Sequence, residues 1–236
     1  MRVDPVSGEV LAGPLEPIYV YEAPVRFWHW AMMVAMFVLA GTGYLIGSPP
    51  PAIGGEAAFS YMFGYIRMIH FIAAMVFAVT FLVRIYWAFV GNHSSRALFI
   101  VPVWSGSWWR GFFDQMLYYL FLKKESKLWV GHNPLAQFAM FAMYALGTIF
   151  IIVTGLALYS EQWGWGSVPM SLMGWVFVLF GDPQMVRTLH HLAMWYLVLF
   201  AVIHMYMVFR EDIMSGESVI GTMTNGIRMF KREPRA

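Results

Sequence analysis

Residues 135–159 read LAQFAMFAMYALGTIFIIVTGLALY, and this stretch decides the fold because it contains no charged side chain. A helix rises about 1.5 Å per residue, so a run of this length can cross the roughly 30 Å of a bilayer's hydrocarbon. Three further apolar runs are also long enough to span, at residues 27–47, 66–90 and 189–209, and of these the run 66–90 contains two charged side chains, Arg67 and Arg84. The sequence therefore predicts an all-α membrane protein, a four-transmembrane-helix bundle with residues 1–236 forming a single membrane domain.

The composition agrees with this class. Hydrophobic residues make up 60% of the chain and charged residues 12%, whereas a soluble domain is roughly one quarter charged. Two other aromatic segments, at 104–122 and 163–181, are too polar or too interrupted by glycine and proline to span. Both are predicted to be short helices or loops at the membrane interface.

Basic residues favour the cytoplasmic side of a membrane, so their distribution predicts the orientation. The segment between the second and third runs and the C-terminal tail hold most of them, whereas residues 48–65 hold none. Both termini and the middle loop are therefore expected on the cytoplasmic side of a bacterial inner membrane. The net charge of +2 gives no reason to expect a nucleic-acid partner.

The chain has no cysteine, which excludes disulfides, cysteine-ligated iron–sulfur clusters and covalent c-type haem attachment. A metal or haem would have to be held by histidine or methionine. Five of the seven histidines lie inside the predicted spans, where ionisable side chains are costly and point to a functional site. The candidates are His29, His70, His190 and His204, with His191 directly beside His190.

Spacing and depth group these histidines into two pairs. His190 and His204 are 14 residues apart, about 40° short of four turns, so they share one face and lie about 21 Å apart along the helix. His191 lies about 140° from His204 and is the poorer ligand of the adjacent pair. With alternating helix directions, His29 matches His204 near the cytoplasmic surface, and His70 matches His190 near the outer surface. Two matched pairs predict two haems, each with two axial histidines.

Zinc is the competing metal, but it prefers about four ligands, and the spans offer no cysteine and few carboxylates. Arginines accompany the histidines. Arg26, Arg67 and Arg187 each precede a histidine by three residues, and Arg84 shares a face with His70, about 21 Å deeper. They are candidate partners of the anionic haem propionates. The alternative is that these arginines are ordinary charged residues at the membrane interface, whose side chains extend toward water.

Several stretches resemble the cytochrome b subunit of membrane-bound uptake nickel–iron hydrogenases, over roughly residues 19–228. The stretches are YEAPVRFWHW (21–30), GTGYLIG (41–47), GYIRMIHF (64–71), RIYWAFVGN (84–92), GHNPLAQ (131–137), TGLALYSE (154–161) and REDIMS (210–215). The cytochrome b subunit of formate dehydrogenase is similar in having two histidines 14 apart on its last helix. The resemblance implies the same ligand pairs as the spacing. Because His190 and His191 are adjacent, the ligand could still be displaced by one residue, from His190 to His191.

The resemblance also implies a function. The large and small subunits of a nickel–iron hydrogenase would oxidise hydrogen outside the membrane, the small subunit contributing its iron–sulfur chain and a membrane anchor helix. Electrons would then pass through two b-type haems to the membrane quinone, which makes this chain the electron-transfer subunit of a hydrogen:quinone oxidoreductase. His132, Asn133 and Gln137 are the candidate quinone site, because the formate dehydrogenase subunit has a similar Asn-x-x-x-Gln motif. The alternative for Asn133, which precedes Pro134, is an ordinary helix cap.

Other functions stay open on the sequence alone. The chain could be the cytochrome b subunit of another dehydrogenase or reductase, or a stand-alone membrane cytochrome b. A third possible function is that of a transporter that relays protons through histidines within the membrane. Transporters of that kind usually show internal repeats and broken helices, and the sequence has no recognisable repeat.

Overall fold

Four long apolar helices dominate the computed structural model, which describes residues 2–3, 10–11, 15–51, 61–124, 129 and 131–231. The first two are α1 (Ala23–Gly47) and α2 (Met62–Val90). The third (Pro134–Glu161) consists of α5 (Pro134–Ala139), a π-helical turn (Met140–Ala145) and α6 (Leu146–Glu161). The fourth is α9 (Pro183–Ser215). By length and composition all four can cross a membrane, so the predicted all-α membrane fold is confirmed.

The helices extend beyond the apolar runs at several ends. At the start of α9, the Asp182 carboxylate accepts the backbone N–H of Met185 at 2.7 Å, and Pro183 occupies the first helical position. An aspartate cap followed by proline favours helix initiation, so α9 begins six residues before the predicted residue 189. The π-helical turn in the third span was not predicted, because apolar composition does not distinguish a π turn from an α turn.

Shorter helices occupy the two segments that were judged unable to span. α4 (Gly106–Tyr119) lies in the 104–122 segment, and α7 (Val168–Met173) and α8 (Trp175–Phe180) lie in the 163–181 segment. Two single-turn helices, α3 (His93–Arg96) and α10 (Gly221–Thr224), complete the helical elements of the described residues.

Short strands, which were not predicted, form two antiparallel pairs, one of which joins the N-terminal and C-terminal segments. β3 (Leu15–Tyr19) pairs antiparallel with β4 (Ile227–Lys231), and β1 (Arg2–Val3) pairs with β2 (Val10–Leu11). Arg228 of β4 forms a buried salt bridge with Glu217 at 2.8 Å. Removing one partner of a buried ion pair typically costs about 3–5 kcal/mol, so this bridge anchors the C-terminal strand.

Two compact units can be distinguished within the chain. The first comprises Met1–His29, Trp87–Leu135 and Ala201–Ala236, and the second comprises Trp30–Tyr86 and Ala136–Phe200. In the first unit, the Glu22 carboxylate accepts hydrogen bonds from the Asn92 backbone N–H and the Trp87 indole, each at 3.0 Å. The bond from Asn92 holds the pKa of Glu22 below its usual value.

The second unit has its own apolar core, where α6, α7, α8 and α9 meet. Its fully buried members are Ala157, Met170, Val176, Phe177 and Val186. Many other large apolar side chains of the long helices are exposed on the isolated chain, as helices that face lipid require. The residues 52–60 and the basic Lys127, Arg232 and Arg235, which entered the orientation argument, lie outside the described residues.

Candidate functional site: two histidine pairs

His29 and His204 face each other in the first unit. Their ring centres are 6.4 Å apart and their planes are inclined at 55°. His29 lies in the second turn of α1, and His204 lies eleven residues before the end of α9. Two residues that are 175 positions apart in the sequence are thus brought ring to ring.

This separation fits one metal ion between the rings. A metal–imidazole bond is about 2 Å long, and the ring centre lies a little over 1 Å behind the bonded nitrogen, so two such rings on opposite sides of one ion have centres about 6 Å apart. Iron in a bis-histidine haem requires that arrangement. Among the residues that the structure describes, no three His, Asp or Glu side chains form a metal-binding group, which a tetrahedral zinc site would need.

His70 and His190 belong to the second unit. Each imidazole is held by a threonine. Thr42 Oγ1 of α1 lies 2.9 Å from His70 Nδ1, and Thr154 Oγ1 of α6 lies 2.9 Å from His190 Nδ1. Because Nδ1 is engaged on both rings, Nε2 is the nitrogen that each ring can offer to a metal.

A glycine follows each of these threonines and makes room for the imidazole. A Cβ atom built on Gly43 would lie 3.4 Å from His70 Cε1, and one built on Gly155 would lie 3.0 Å from His190 Cε1. The second distance is shorter than an ordinary van der Waals contact, so a side chain at position 155 would displace the ring. The threonines and glycines were not recognised in the sequence, although a Thr-Gly dipeptide occurs in both stretches and could have indicated them.

His191 has a different environment from its neighbour His190. The Trp195 indole N–H donates to His191 Nε2 at 3.1 Å, and the His191 ring packs against Gly47. With Nε2 engaged as an acceptor, a neutral His191 carries its hydrogen on Nδ1 and has no second lone pair for a metal. The geometry therefore favours His190 over His191 as a ligand.

The predicted arginines lie in unlike surroundings. Arg26 donates to the backbone carbonyl of Thr224 at 2.8 Å, and Arg187 forms an exposed salt bridge with Glu161. An arginine can exchange a carboxylate or carbonyl partner for a propionate. The contacts with Thr224 and Glu161 nevertheless give both arginines a structural role as well.

Arg67 and Arg84 both lie on α2 but differ in burial. The Arg67 guanidinium lies 5.9 Å from the centre of the Phe71 ring, a distance typical of a cation–π contact. Arg84 is buried, with 3% of its surface exposed, and it lies near Tyr144 of the π-helical turn. Negative charge or acceptors nearby stabilise a buried guanidinium, so Arg84 is a candidate partner for an anionic group.

The three residues of the candidate quinone site have the following positions. His132 Nδ1 lies 2.8 Å from the Tyr21 hydroxyl, and the Asn133 amide donates to the Tyr119 hydroxyl at 2.9 Å. Both contacts lie in the first unit. Gln137 belongs to α5, which begins at Pro134, and falls in the second unit by its packing.

Long apolar helices that carry facing histidines define the chain as a membrane cytochrome of the b type, in which haem is bound without covalent attachment. The family model for prokaryotic cytochrome b561 matches residues 20–226. The chain belongs to this family. It is a multi-pass protein of the bacterial inner membrane whose cofactor is b-type haem.

Curated relatives agree over most of the chain. A protein of Azotobacter chroococcum mcd 1, named "Probable Ni/Fe-hydrogenase B-type cytochrome subunit", is 53% identical over 214 residues, which cover 91% of this chain and 89% of the relative. One of Cupriavidus necator with the same name is 48% identical, covering 95% and 93%. The Escherichia coli K12 "Probable Ni/Fe-hydrogenase 1 B-type cytochrome subunit" is 51% identical, covering 90% and 91%.

Proposed function

We propose that this chain is the electron-transfer subunit of a hydrogen:quinone oxidoreductase, that it holds two b-type haems, and that it anchors a nickel–iron hydrogenase at the outer face of the membrane. The observation that carries the proposal is the ring-to-ring placement of His29 and His204 within one unit of the fold. Relatives at about half identity that are named as hydrogenase cytochrome subunits support the choice of partner.

His29 and His204 are the axial ligands of the cytoplasmic-side haem in this proposal, and His70 and His190 are those of the outer-side haem. The assignment of sides rests on the distribution of basic residues along the chain. When bound, each haem supplies a one-electron carrier, because its iron alternates between the ferric and ferrous states. The histidines would hold the iron, and the apolar helices that carry them would limit its contact with water.

The propionates are assigned to Arg26, Arg67, Arg84 and Arg187. Arg84 is buried, and an anionic neighbour stabilises a buried guanidinium. Arg26 and Arg187 would share their existing partners with a propionate.

The hydrogen chemistry belongs to the partner subunits. The chain has no cysteine, so it has no ligands for an iron–sulfur cluster of the usual type. The hydrogenase large and small subunits would dock at the outer face, and the small subunit's iron–sulfur chain and anchor helix would bring its electrons to His70 and His190. The role of this chain is to position the electron carriers.

Quinone is proposed to bind near His132, Asn133 and Gln137, on the cytoplasmic side. A quinone carbonyl needs a hydrogen-bond donor, and its reduction needs protons, which imidazole and phenol groups can transfer. The Tyr119 hydroxyl, which accepts from Asn133, has its pKa raised by burial and by the nearby Glu211 carboxylate. It therefore keeps its proton at neutral pH and can donate a hydrogen bond.

The experiment is to isolate the chain from bacterial membranes with its native partners and to add hydrogen. The expected result is co-purification of a nickel–iron dimer and reduction of b-type haem by hydrogen. A preparation that contains a different dehydrogenase, with haem reduced by that enzyme's substrate and not by hydrogen, would contradict the proposal and identify the chain as a cytochrome subunit of that other complex.

A further inference from the structure

Thr42 and Thr154, on two different helices, each contact the carbonyl four residues back and the Nδ1 atom of an imidazole. The Thr42 hydroxyl lies 2.7 Å from the carbonyl of Val38, four residues back, and 2.9 Å from His70 Nδ1. The Thr154 hydroxyl lies 2.9 Å from the carbonyl of Phe150, also four residues back, and 2.9 Å from His190 Nδ1.

These contacts fix the direction of each hydrogen bond. A hydroxyl has one hydrogen, and a carbonyl oxygen can only accept, so the threonine hydrogen is donated to the backbone carbonyl. The threonine oxygen must then accept from the imidazole, which places the ring hydrogen on Nδ1. The lone pair of the neutral ring is therefore on Nε2, where a metal ion would bind.

The glycines complete the arrangement on the other side of Nδ1. Gly43 and Gly155, which follow the two threonines, lie against the Cε1 edges of His70 and His190. Each imidazole thus has a hydroxyl at Nδ1, and the absence of a Cβ at the following glycine leaves room beside Cε1.

We infer that Thr42 and Thr154 are positioning residues for the haem between His70 and His190, and that their hydrogen bonds lower its reduction potential. The inference rests on the proposed assignment of these histidines as axial ligands. A ligand histidine that donates from Nδ1 to an oxygen becomes a stronger electron donor at Nε2. Stronger donation stabilises ferric iron relative to ferrous iron, so the potential falls.

The test is a redox titration of the full chain in membranes, following the α absorption band of each haem, for Thr42→Val, Thr154→Val and the corresponding serine variants. Valine has the shape of threonine but cannot accept a hydrogen bond, whereas serine can. Each valine variant should raise the potential of one haem and leave the other unchanged. The expected change in the ratio of reduced to oxidised haem is roughly threefold to tenfold, or about 30 to 60 mV for one electron.

Thr188 provides a matched control, because its hydroxyl donates to the Gln184 carbonyl four residues back on the exposed surface of α9. Thr188→Val should leave both potentials at the parental values. The serine variants should restore the parental potentials and the parental ferric electron paramagnetic resonance spectrum. If a valine variant loses one haem while the serine variant keeps it, this result also supports a positioning role for the hydroxyl.

Two results would overturn the inference. One is that both valine variants retain both haems at the parental potentials. The other is that valine and serine variants lose haem equally, since the methyl packing and not the hydroxyl would then matter. The proposed function fails separately, if the parental chain in its native membrane does not hold two b haems or is not reduced by hydrogen.

Discussion

Trp195 donates its indole N–H to Nε2 of His191 at 3.1 Å, one helical turn along α9, and so occupies the nitrogen that a ligand histidine would need. The adjacent His190 is instead held through Nδ1 by Thr154. The two neighbouring histidines that the sequence left as alternatives therefore have different hydrogen-bond partners.

The first prediction concerns this pair. His190→Ala should remove one b haem and leave the other, because the iron would lose one of its two axial ligands. His191→Ala should retain both haems. Haem content and the number of redox transitions in membranes measure the outcome. Loss of haem in His191→Ala, with retention in His190→Ala, would show that the ligand register is off by one residue.

The long helices could be predicted because membrane helices need an uninterrupted apolar run, and such runs are visible in composition alone. The pairing of Leu15–Tyr19 with Ile227–Lys231 could not, since a five-residue strand gives a weak periodic signal and its partner is more than 200 residues away. The π-helical turn was missed because a change of hydrogen-bond register from four to five residues has no compositional signal.

At the site, arithmetic on helical angles and depth grouped the histidines before any contact was known, since helix geometry is nearly constant. The supporting residues needed the structure. Thr42 lies 28 residues from His70, and Thr154 lies 36 residues from His190. Which hydroxyl reaches which ring depends on how neighbouring helices pack, which the sequence does not state. The partners of Arg26 and Arg187 were missed for the same reason.

A second prediction uses the close contact at Gly155. Gly155→Ala should place a methyl group about 3.0 Å from His190 Cε1 and push the ring out of position. We expect affinity for one haem to fall by about 10- to 100-fold, the loss typical when a support of a metal ligand is removed. Haem retention during dilution in detergent measures this loss.

Gly41→Ala is the matched control for that variant. No atom lies within 4 Å of a Cβ built at Gly41, and the residue is on a membrane helix like Gly155. It should hold both haems as tightly as the parent. Equal haem loss in both variants would mean that alanine disturbs the helices in general, and equal retention would mean that the His190 ring is not constrained by position 155.

The third prediction addresses quinone. Asn133→Asp should remove the amide donor that contacts Tyr119, and Gln137→Leu should remove a polar group one turn into α5. Both variants should keep haem reduction by hydrogen and lose at least tenfold in quinone turnover, as expected when a donor to a reacting carbonyl is removed. Parental quinone turnover in both variants would place quinone binding elsewhere in the chain.

The fourth prediction concerns orientation. A reporter enzyme that is active only in the periplasm should be active when fused after Gly166 and silent when fused after Lys124. Gly166 lies between the third and fourth long helices, and Lys124 lies between the second and third. The basic residues between the second and third long helices predict that this segment lies in the cytoplasm. The reverse activities would invert the membrane orientation and the proposed direction of electron flow.

The most direct test of the central claim is the amount of haem per chain, measured by the pyridine haemochromogen method on the intact complex as isolated from its native membrane. The two histidine pairs predict two non-covalent b-type haems for each copy of the chain. A fully loaded complex with one haem per chain, or with zinc in place of haem, would contradict the account.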